Sequence, residues 1–575
     1  MLKLLKYLKE YWWQILLVII FVAIQTYTDL TLPEFMSRIV DNGIVNSDTN
    51  YIIKVGLQML GLAFFGVIAT IIVGYFSSKV ASGLSRKLRK EVFEKVTNFS
   101  SEEIDKFSSA SLITRTTNDI QHVQMAIFMI FRMLLMAPII GIGGVTKVIK
   151  NSPSLTWVIA VAVALLFIVI VILFSLAMPK FKMFQKLVDR LNLVTRENLT
   201  GLRVIRAFNN EEYQEQKFDN ANKDLTKLNL FVNKVMILLQ PTTMLIMNIA
   251  TIAVIWFGSQ FVDSGTLQIG DMMAFIQYTM QIMSSFMMLS MLFIIIPRAS
   301  ISANRVIEVL ETEPKIKNPI YGKSADKKLL GQVEFKNVSF SYPDADEAIL
   351  TDISFIAESG KTTAFIGSTG SGKSTLINLI PRFYDVTSGE ILVSGVNVKD
   401  YTQHELRKNI GYVPQKGVLF SGTIKSNLKY GNEKLSNKEM EEVSRVAQAL
   451  EFIEAKDKKF DSHISQGGKN VSGGQKQRLS IARALAKNPD IFIFDDSFSA
   501  LDFKTDKILR KELKKYTKKA TTLIVAQRIS TIMNADKIIV LDEGKIVGTG
   551  THKELIKNCE IYKEIALSQL SEEEL

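Results

Sequence analysis

The chain is 575 residues long, too long for one hydrophobic core, so two or more domains are expected. Apolar residues make up 47% and gather in long charge-poor runs of the first half, while the second half reads as a soluble α/β protein. The net charge of +12 (69 basic, 57 acidic) points to a Lys/Arg excess beside anionic lipid rather than to nucleic acid. The single cysteine, Cys559, excludes an internal disulfide and a cysteine metal cluster. The histidines (His122, His404, His463, His552) lack ligand spacing, so no zinc site is expected.

The opening ten residues carry Lys3, Lys6 and Lys9, followed by Tyr11-Trp12-Trp13 and an apolar run to Leu32. A signal peptide has a shorter apolar core and a small-residue cleavage site, and neither is present. Lysines ahead of an aromatic belt predict a cytoplasmic N-terminus entering a first span. Spans are expected near 11–32, 51–76, 123–149, 155–178, 235–262 and 272–297. Each is near or above the ~20 residues that cross a hydrocarbon core. Six crossings return the C-terminal half to the cytoplasmic side. Segments 77–122 and 179–234 are long, polar and helical in pattern, with basic clusters at Arg86-Lys87, Arg89-Lys90 and from Lys180 to Arg190. They are therefore assigned to the inner face, whereas 151–154, broken by Pro153, is a tight outer turn. This layout resembles the transmembrane domain of ABC exporters. The resemblance implies short coupling helices at the tips of the inner excursions, near 104–111 and 197–204.

Residues 299–311 are amphipathic, and 312–330, with Pro314 and Pro319, read as a linker. From Gly331 the apolar period changes to two, with Val333, Phe335, Val338 and Phe340 in a strand pattern, and strands and helices then alternate. The expected fold is a six-helix all-α transmembrane domain (1–311) with long cytoplasmic helical extensions, followed by an α/β P-loop nucleotide-binding domain (331–575).

The run Gly367-Ser368-Thr369-Gly370-Ser371-Gly372-Lys373-Ser374 follows an apolar strand pattern and opens into a helical one from Thr375. Strand, Gly-rich loop and helix in that order make a P-loop rather than a flexible hinge. Its amides and the helix N-terminus face phosphate oxygens, Lys373 adds a charge for the β- and γ-phosphates, and Ser374 offers a hydroxyl to Mg²⁺. The chain is expected to bind ATP.

A second motif narrows the class. Ser472-Gly473-Gly474-Gln475 opens a helical pattern ahead of the apolar strand 491–494, which ends in Asp495. Together these resemble the signature motif and Walker B strand of an ABC transporter ATPase domain. The resemblance implies further roles for residues that match the family pattern. Tyr342 would stack on adenine, Gln415 would be the Q-loop glutamine near Mg²⁺ or the attacking water, and Asp495 would hold Mg²⁺ through water. Ser499-Ala500-Leu501-Asp502 would form the D-loop. Two such domains pair head to tail in this family, so Ser472, Gly473 and Gly474 would face the partner's nucleotide.

Two positions depart from the family pattern. Where efficient members have a glutamate base after the Walker B aspartate, this chain has Asp496, shorter by one C–C bond or roughly 1.5 Å. Displacement of about 1 Å costs ~10²-fold in rate. Where the family places a switch histidine, this chain has Gln527, which hydrogen-bonds but neither charges nor shuttles a proton. The pair predicts a degenerate site that holds ATP and hydrolyses it poorly. It resembles one subunit of the heterodimeric bacterial multidrug exporters, whose partner supplies the consensus glutamate and histidine. Gln466, where many homodimeric exporters carry a glutamate, agrees with this. The alternatives are a homodimeric lipid or lipopeptide exporter with slow turnover and an ATP-gated regulator that does not pump. The resemblance implies a multi-pass protein of the plasma membrane with both termini cytoplasmic.

Substrate recognition is less specified. Met125, Met129, Arg132 and Met136 share one face of the third span at α-helical spacing, and an intramembrane arginine faces a cavity, a partner or the lipid interface. In the sixth span Gln277, Gln281, Ser284, Met288 and Met291 share a face. Methionines suit promiscuous apolar surfaces and ordinary helix packing alike. A cavity of thioethers and amides implies large amphipathic small molecules.

Overall fold

A computed structural model describes residues 2–151, 153–343 and 345–570. Ser152 of the expected outer turn and residues 571–575 of the expected second domain lie outside these. The chain forms two compact units, residues 1–97 with 110–312, and 98–109 with 313–575. The division falls after residue 312, and a short stretch of the first inner excursion packs with the C-terminal unit.

The first unit is helical: α1 (Trp12–Arg38), α2 (Thr49–Thr97), then, beyond α3 (Ser101–Phe107) of the other unit, α4 (Ser109–Thr114), α5 (Ile120–Met129), α6 (Leu135–Asn151), α7 (Thr156–Ala207), α8 (Glu211–Ile237), α9 (Leu239–Asp263) and α10 (Ile269–Glu311). Among the described residues six helical stretches are long and apolar enough to cross a membrane: Lys6–Ile44, Thr49–Thr97, Ser109–Asn151, Pro153–Ala177, Glu211–Asp263 and Ile269–Glu311. They overlap the six stretches expected to span. α2, at 49 residues, runs roughly 70 Å at 1.5 Å per residue, far beyond a 30 Å hydrocarbon core. The excess is the polar extension read from the sequence.

Two local expectations are corrected. Residues 197–204 are not a separate coupling helix, because α7 runs through them without a break. Glu197, Leu199, Leu202 and Arg203 favour the helix there, and a Cβ on the single glycine of the stretch, Gly201, would meet open space. The turn comes later, where Asn209 adopts a left-handed φ of 49° before α8. The shared face of Met125, Met129, Arg132 and Met136 is broken as well. Residues Ile130–Leu134 form a π-helical turn, which inserts an extra residue and rotates the side chains beyond it. Arg132 is exposed and Met129 only partly buried.

α1 and α10 meet at a seam created by Pro33. A proline in a helix has no N–H for the carbonyl four residues back and crowds the preceding turn. α10 supplies the missing donor and a second one to the next carbonyl. The Gln281 amide donates to the Asp29 carbonyl over 2.9 Å, and the Tyr278 hydroxyl to the Leu30 carbonyl over 3.1 Å. Leu30, Tyr278 and Ile282 also belong to the apolar cluster shared by α1, α6, α7, α9 and α10.

The second unit is α/β. β1 (Val333–Phe340), β2 (Leu350–Ala357), β4 (Ser388–Val393) and β5 (Val396–Asn397) form an antiparallel sheet in the order β2-β1-β4-β5. The step of three between Phe335 and Val338 breaks the period of two, and the structure resolves it with a bulge. Asn337 sits at φ 47°, the register slips, and all four apolar residues remain buried. The main sheet runs β12-β11-β3-β10-β9-β6, with β3 at Thr362–Gly367, β6 at Ile410–Val413, β9 at Ile491–Asp495, β10 at Thr521–Val525, β11 at Lys537–Asp542 and β12 at Lys545–Gly550. β6, β9, β10, β3 and β11 are parallel and β12 is antiparallel to β11. Every residue of β9 and β10 is buried, as expected of parallel strands covered on both faces. β7 (Gly422–Thr423) pairs with β8 (His463–Ile464).

The stretch expected to be a coupling helix near 104–111 is not one helix: α3 ends at Phe107, Ser108 takes a positive φ of 60° and α4 starts at Ser109, and α3 belongs to this unit. α3 is capped by a box in which Glu103 Oε2 accepts from the Ser100 amide at 2.7 Å and the Ser100 hydroxyl at 2.6 Å. Glu103 Oε1 accepts from the Lys315 amide at 3.1 Å, Lys315 pairs with Glu102, and the Tyr384 hydroxyl donates to Asp105 over 3.0 Å. Burial, with Asp105 adding to it, pushes the Tyr384 pKa up to about 12. Glu103 is itself buried, so Glu103→Ala removes the acceptor of three donors. The expected cost is about 2–3 kcal/mol of local stability, read as roughly 30–150-fold faster amide exchange in residues 98–109. Unchanged protection there contradicts the anchoring role.

Candidate nucleotide site

The parallel strands all point their carboxyl ends to one edge, which gathers the loops that follow β3, β6, β9 and β10. That edge carries Gly367 to Ser374, Gln415, Asp495 with Asp496, and Gln527, segments far apart along the chain.

The P-loop leaves β3 and enters the helix Lys373–Leu379, with Gly370 and Gly372 at φ 88° and 89°. A Cβ on Gly372 would come within 2.7 Å of the Leu350 side chain and 3.1 Å of the Ile349 carbonyl, so glycine is required for both torsion and space. Lys373 Nζ donates to the Gly367 and Ser368 carbonyls at 3.0 and 2.7 Å and to the Ser371 hydroxyl at 3.2 Å, which holds the cation across the loop. Burial lowers its pKa, against the pull of Asp496 and Asp495. The Ser374 hydroxyl donates to Asp495 Oδ1 over 2.8 Å. A hydroxyl and a carboxylate side by side are hard oxygen donors of the kind Mg²⁺ takes. Burial raises the Asp495 pKa, partly offset by the Ser374 hydrogen bond. Tyr342 lies beside the loop, its hydroxyl 3.0 Å from that of Thr375 and its ring edge-on to Phe340 and Tyr384.

Asp496 is buried, at a left-handed φ of 44°, with its amide bonded to the Val525 carbonyl. Its carboxylate is shared by two glutamines: Gln527 Nε2 donates to Oδ2 over 2.9 Å and Gln415 Nε2 to the same oxygen over 3.4 Å. Burial raises its pKa, and the Gln415 and Ser499 hydrogen bonds work against that rise. Gln415, expected near Mg²⁺ or the attacking water, reaches Asp496 in this structure.

The signature lies on the surface. Ser472 caps the helix Gly473–Ala486, its hydroxyl accepting from the Gln475 amide while Gln475 Oε1 accepts from the Ser472 amide. The hydroxyl hydrogen is left to donate outward beside the helix N-terminus. Gly473 has open space where a Cβ would stand, and Gly474 lies close to the Ala500 carbonyl. In the D-loop, Ser499 donates to the Asp496 carbonyl, Leu501 is buried, and Asp502 caps the helix Phe503–Tyr516.

Three positioning residues escape sequence reasoning. Gln477, buried in the signature helix, donates to the Pro414 carbonyl and accepts from the Gly417 amide, clamping the loop that carries Gln415. Gln569 donates to the Gln527 carbonyl and accepts from the Ile529 amide, fixing the loop after β10. The guanidinium of Arg528 reaches the Ser499 carbonyl at 3.4 Å. For Gln477 the available signal is a polar residue on the apolar face of its helix; Gln569 offers none. In the membrane unit, Gln277, Gln281 and Met288 line one cavity, and Met129 and Arg132 do not.

Residues 15–286 match the family model of the ABC transporter transmembrane region, and 350–499 a second family model described as ABC transporter. An ABC transporter ATP-binding protein of Mycobacterium tuberculosis is 41% identical over 549 residues, 95% of this chain and 94% of its own length. YfiB of Bacillus subtilis, also described as an ABC transporter ATP-binding protein, is 36% identical over 99% of both chains. The ATP-dependent lipid A-core flippase of Chromobacterium violaceum is 30% identical over 99% of this chain and 97% of its own. Among solved structures, a bacterial Atm1-family ABC exporter with ATP bound shares the fold, with a TM-score of 0.80 and 24% identity over 98% of this chain and 99% of that one. With the P-loop, signature and Walker B strand assembled on the same chain as six helices long and apolar enough to cross a membrane, this chain belongs to the ABC transporters, its transmembrane region and its ATPase domain joined in one polypeptide.

Proposed function

We propose that this chain is one half of a heterodimeric exporter of amphipathic small molecules. In that reading its own Walker site holds ATP and seldom hydrolyses it. Its signature, Ser472 to Gln475, completes a competent site on the P-loop, glutamate and histidine of a homologous partner. The observation that carries the reading is the contact between Asp496 and Gln527. At the position of the general base stands a carboxylate too short to reach the expected place, and the amide at the switch position is engaged with it. Burial keeps Asp496 basic, so the deficiency lies in reach rather than in proton affinity.

ATP bound between the P-loop of one half and the signature of the other draws the two ATPase domains together. Residues 98–109, anchored through Glu103 and joined by the chain to α2 and α4, carry that closure to the spans, and the cavity turns from inward- to outward-facing. Mg²⁺ would be held by Ser374 and by Asp495 through water, where it supplies positive charge against the β- and γ-phosphates. Tyr342 is suited to stack on the adenine. The exporter sits in the plasma membrane with both termini cytoplasmic.

A second reading, a homodimeric lipid exporter with slow turnover, is favoured by the likeness to the lipid A-core flippase. Purification distinguishes the two. The heterodimer reading expects a homologous subunit to copurify, and Asp496→Asn to leave the pair's ATPase within about twofold while loss of the partner's glutamate abolishes it. Equal severity of the two changes defeats the degenerate-site reading. A gain of function tests the chemistry directly. Asp496→Glu combined with Gln527→His restores length and a proton shuttle, and should raise ATP hydrolysis at this site by about 10²-fold or more in a single-turnover assay. No gain from the pair of changes places the block elsewhere.

A further inference from the structure

The membrane unit contains a cavity of about 330 Å³ at the α1–α10 seam, lined by Asp29, Gln277, Met280, Gln281, Ser284 and Met288 among others. Its chemistry is unlike a lipid-facing groove. Asp29 is an acid inside an apolar span, a placement so costly that such groups normally pair with a cation or face a water-filled pathway. It is half-buried, and among the described residues its carboxylate has neither a hydrogen bond nor a counter-ion. The nearby acid Glu34, by contrast, is paired with both Lys147 and Arg38. Nor is Asp29 placed loosely, since the Pro33 seam binds its backbone to Gln281. The other end of that amide, Gln281 Oε1, is buried without a partner. The cavity therefore presents an unpaired carboxylate and an unsatisfied carbonyl oxygen, both acceptors, beside two polarizable thioethers.

We propose that Asp29 is the recognition point for a positive charge on the transported molecule, so that this cavity takes lipophilic organic cations. The inference deepens the exporter reading and rests on it. The carboxylate supplies the charge that amides and thioethers lack, and an apolar cation brings its own counter-charge to a site where the protein provides none. Neutral or anionic amphiphiles of the same size gain nothing from Asp29, and an anion is repelled by it.

Tetraphenylphosphonium and tetraphenylborate, matched in shape and opposite in charge, test this. Binding is measured to the full-length chain in lipid nanodiscs, alone and with its copurified partner, against empty nanodiscs. The wild type should prefer the cation by at least about tenfold. Asp29→Asn should bring the ratio of the two affinities close to one, and Asp29→Glu should keep the preference. ATP binding by the same samples reports that each variant is folded. Absence of cation preference in the wild type, or its persistence in a folded Asp29→Asn variant, overturns the proposal. Failure of uphill transport in vesicles while the charge preference stands removes the exporter reading alone. Transport that persists with no charge preference removes only the role of Asp29.

Discussion

The loops after β9 and β10 are joined across the nucleotide edge by one contact, the amide of Gln527 against the carboxylate of Asp496 at 2.9 Å. Around them the nucleotide machinery is complete. The P-loop glycines adopt left-handed torsions, Lys373 spans the loop, Ser374 touches Asp495, and Ser472 caps the signature helix with its hydroxyl hydrogen free. Binding and signature chemistry depend on backbone geometry, and that geometry is present here. In the proposed reading cleavage depends on the placement of one base to within about an ångström, and that placement is what Asp496 and Gln527 alter.

The surrounding loops are fixed by side chains that lie outside the nucleotide motifs. Gln477 ties the Gln415 loop to the signature helix, Gln569 holds the Gln527 loop, and Arg528 links that loop to the D-loop at Ser499. Each bond satisfies backbone groups in irregular segments, which otherwise lack partners. The result ties the Gln415 loop to the signature helix and the Gln527 loop to the D-loop by direct hydrogen bonds.

In the membrane unit the organising defect is a proline. Pro33 removes one donor from α1, and α10 answers with Gln281 and Tyr278. A polar seam inside an apolar bundle follows from a missing N–H, because no water is present in hydrocarbon to take its place. The same seam brings Asp29 against the glutamine and methionine face of α10 and so gives the membrane unit an electrostatic character.

Much of the molecule was legible in one dimension. The six spans follow from apolar length, the P-loop and signature from short contiguous patterns, and the departures at Asp496 and Gln527 from single residues at fixed offsets from those motifs. These are local properties, and a local pattern survives being written as a string. The bulge at Asn337 is not visible in the strand pattern, and the break at 197–204 that the resemblance implied is absent, since one depends on sheet register and the other on where a left-handed residue falls. The π turn at 130–134 interrupts the regular spacing on which the shared face of Met125, Met129, Arg132 and Met136 was read. The tertiary structure alone decided the pairings across distance: Asp496 with Gln527, Glu103 with Lys315, and Asp29 with Gln281, 252 positions later. Such contacts are set by which strand edges and helix faces meet, and no spacing along the chain encodes that.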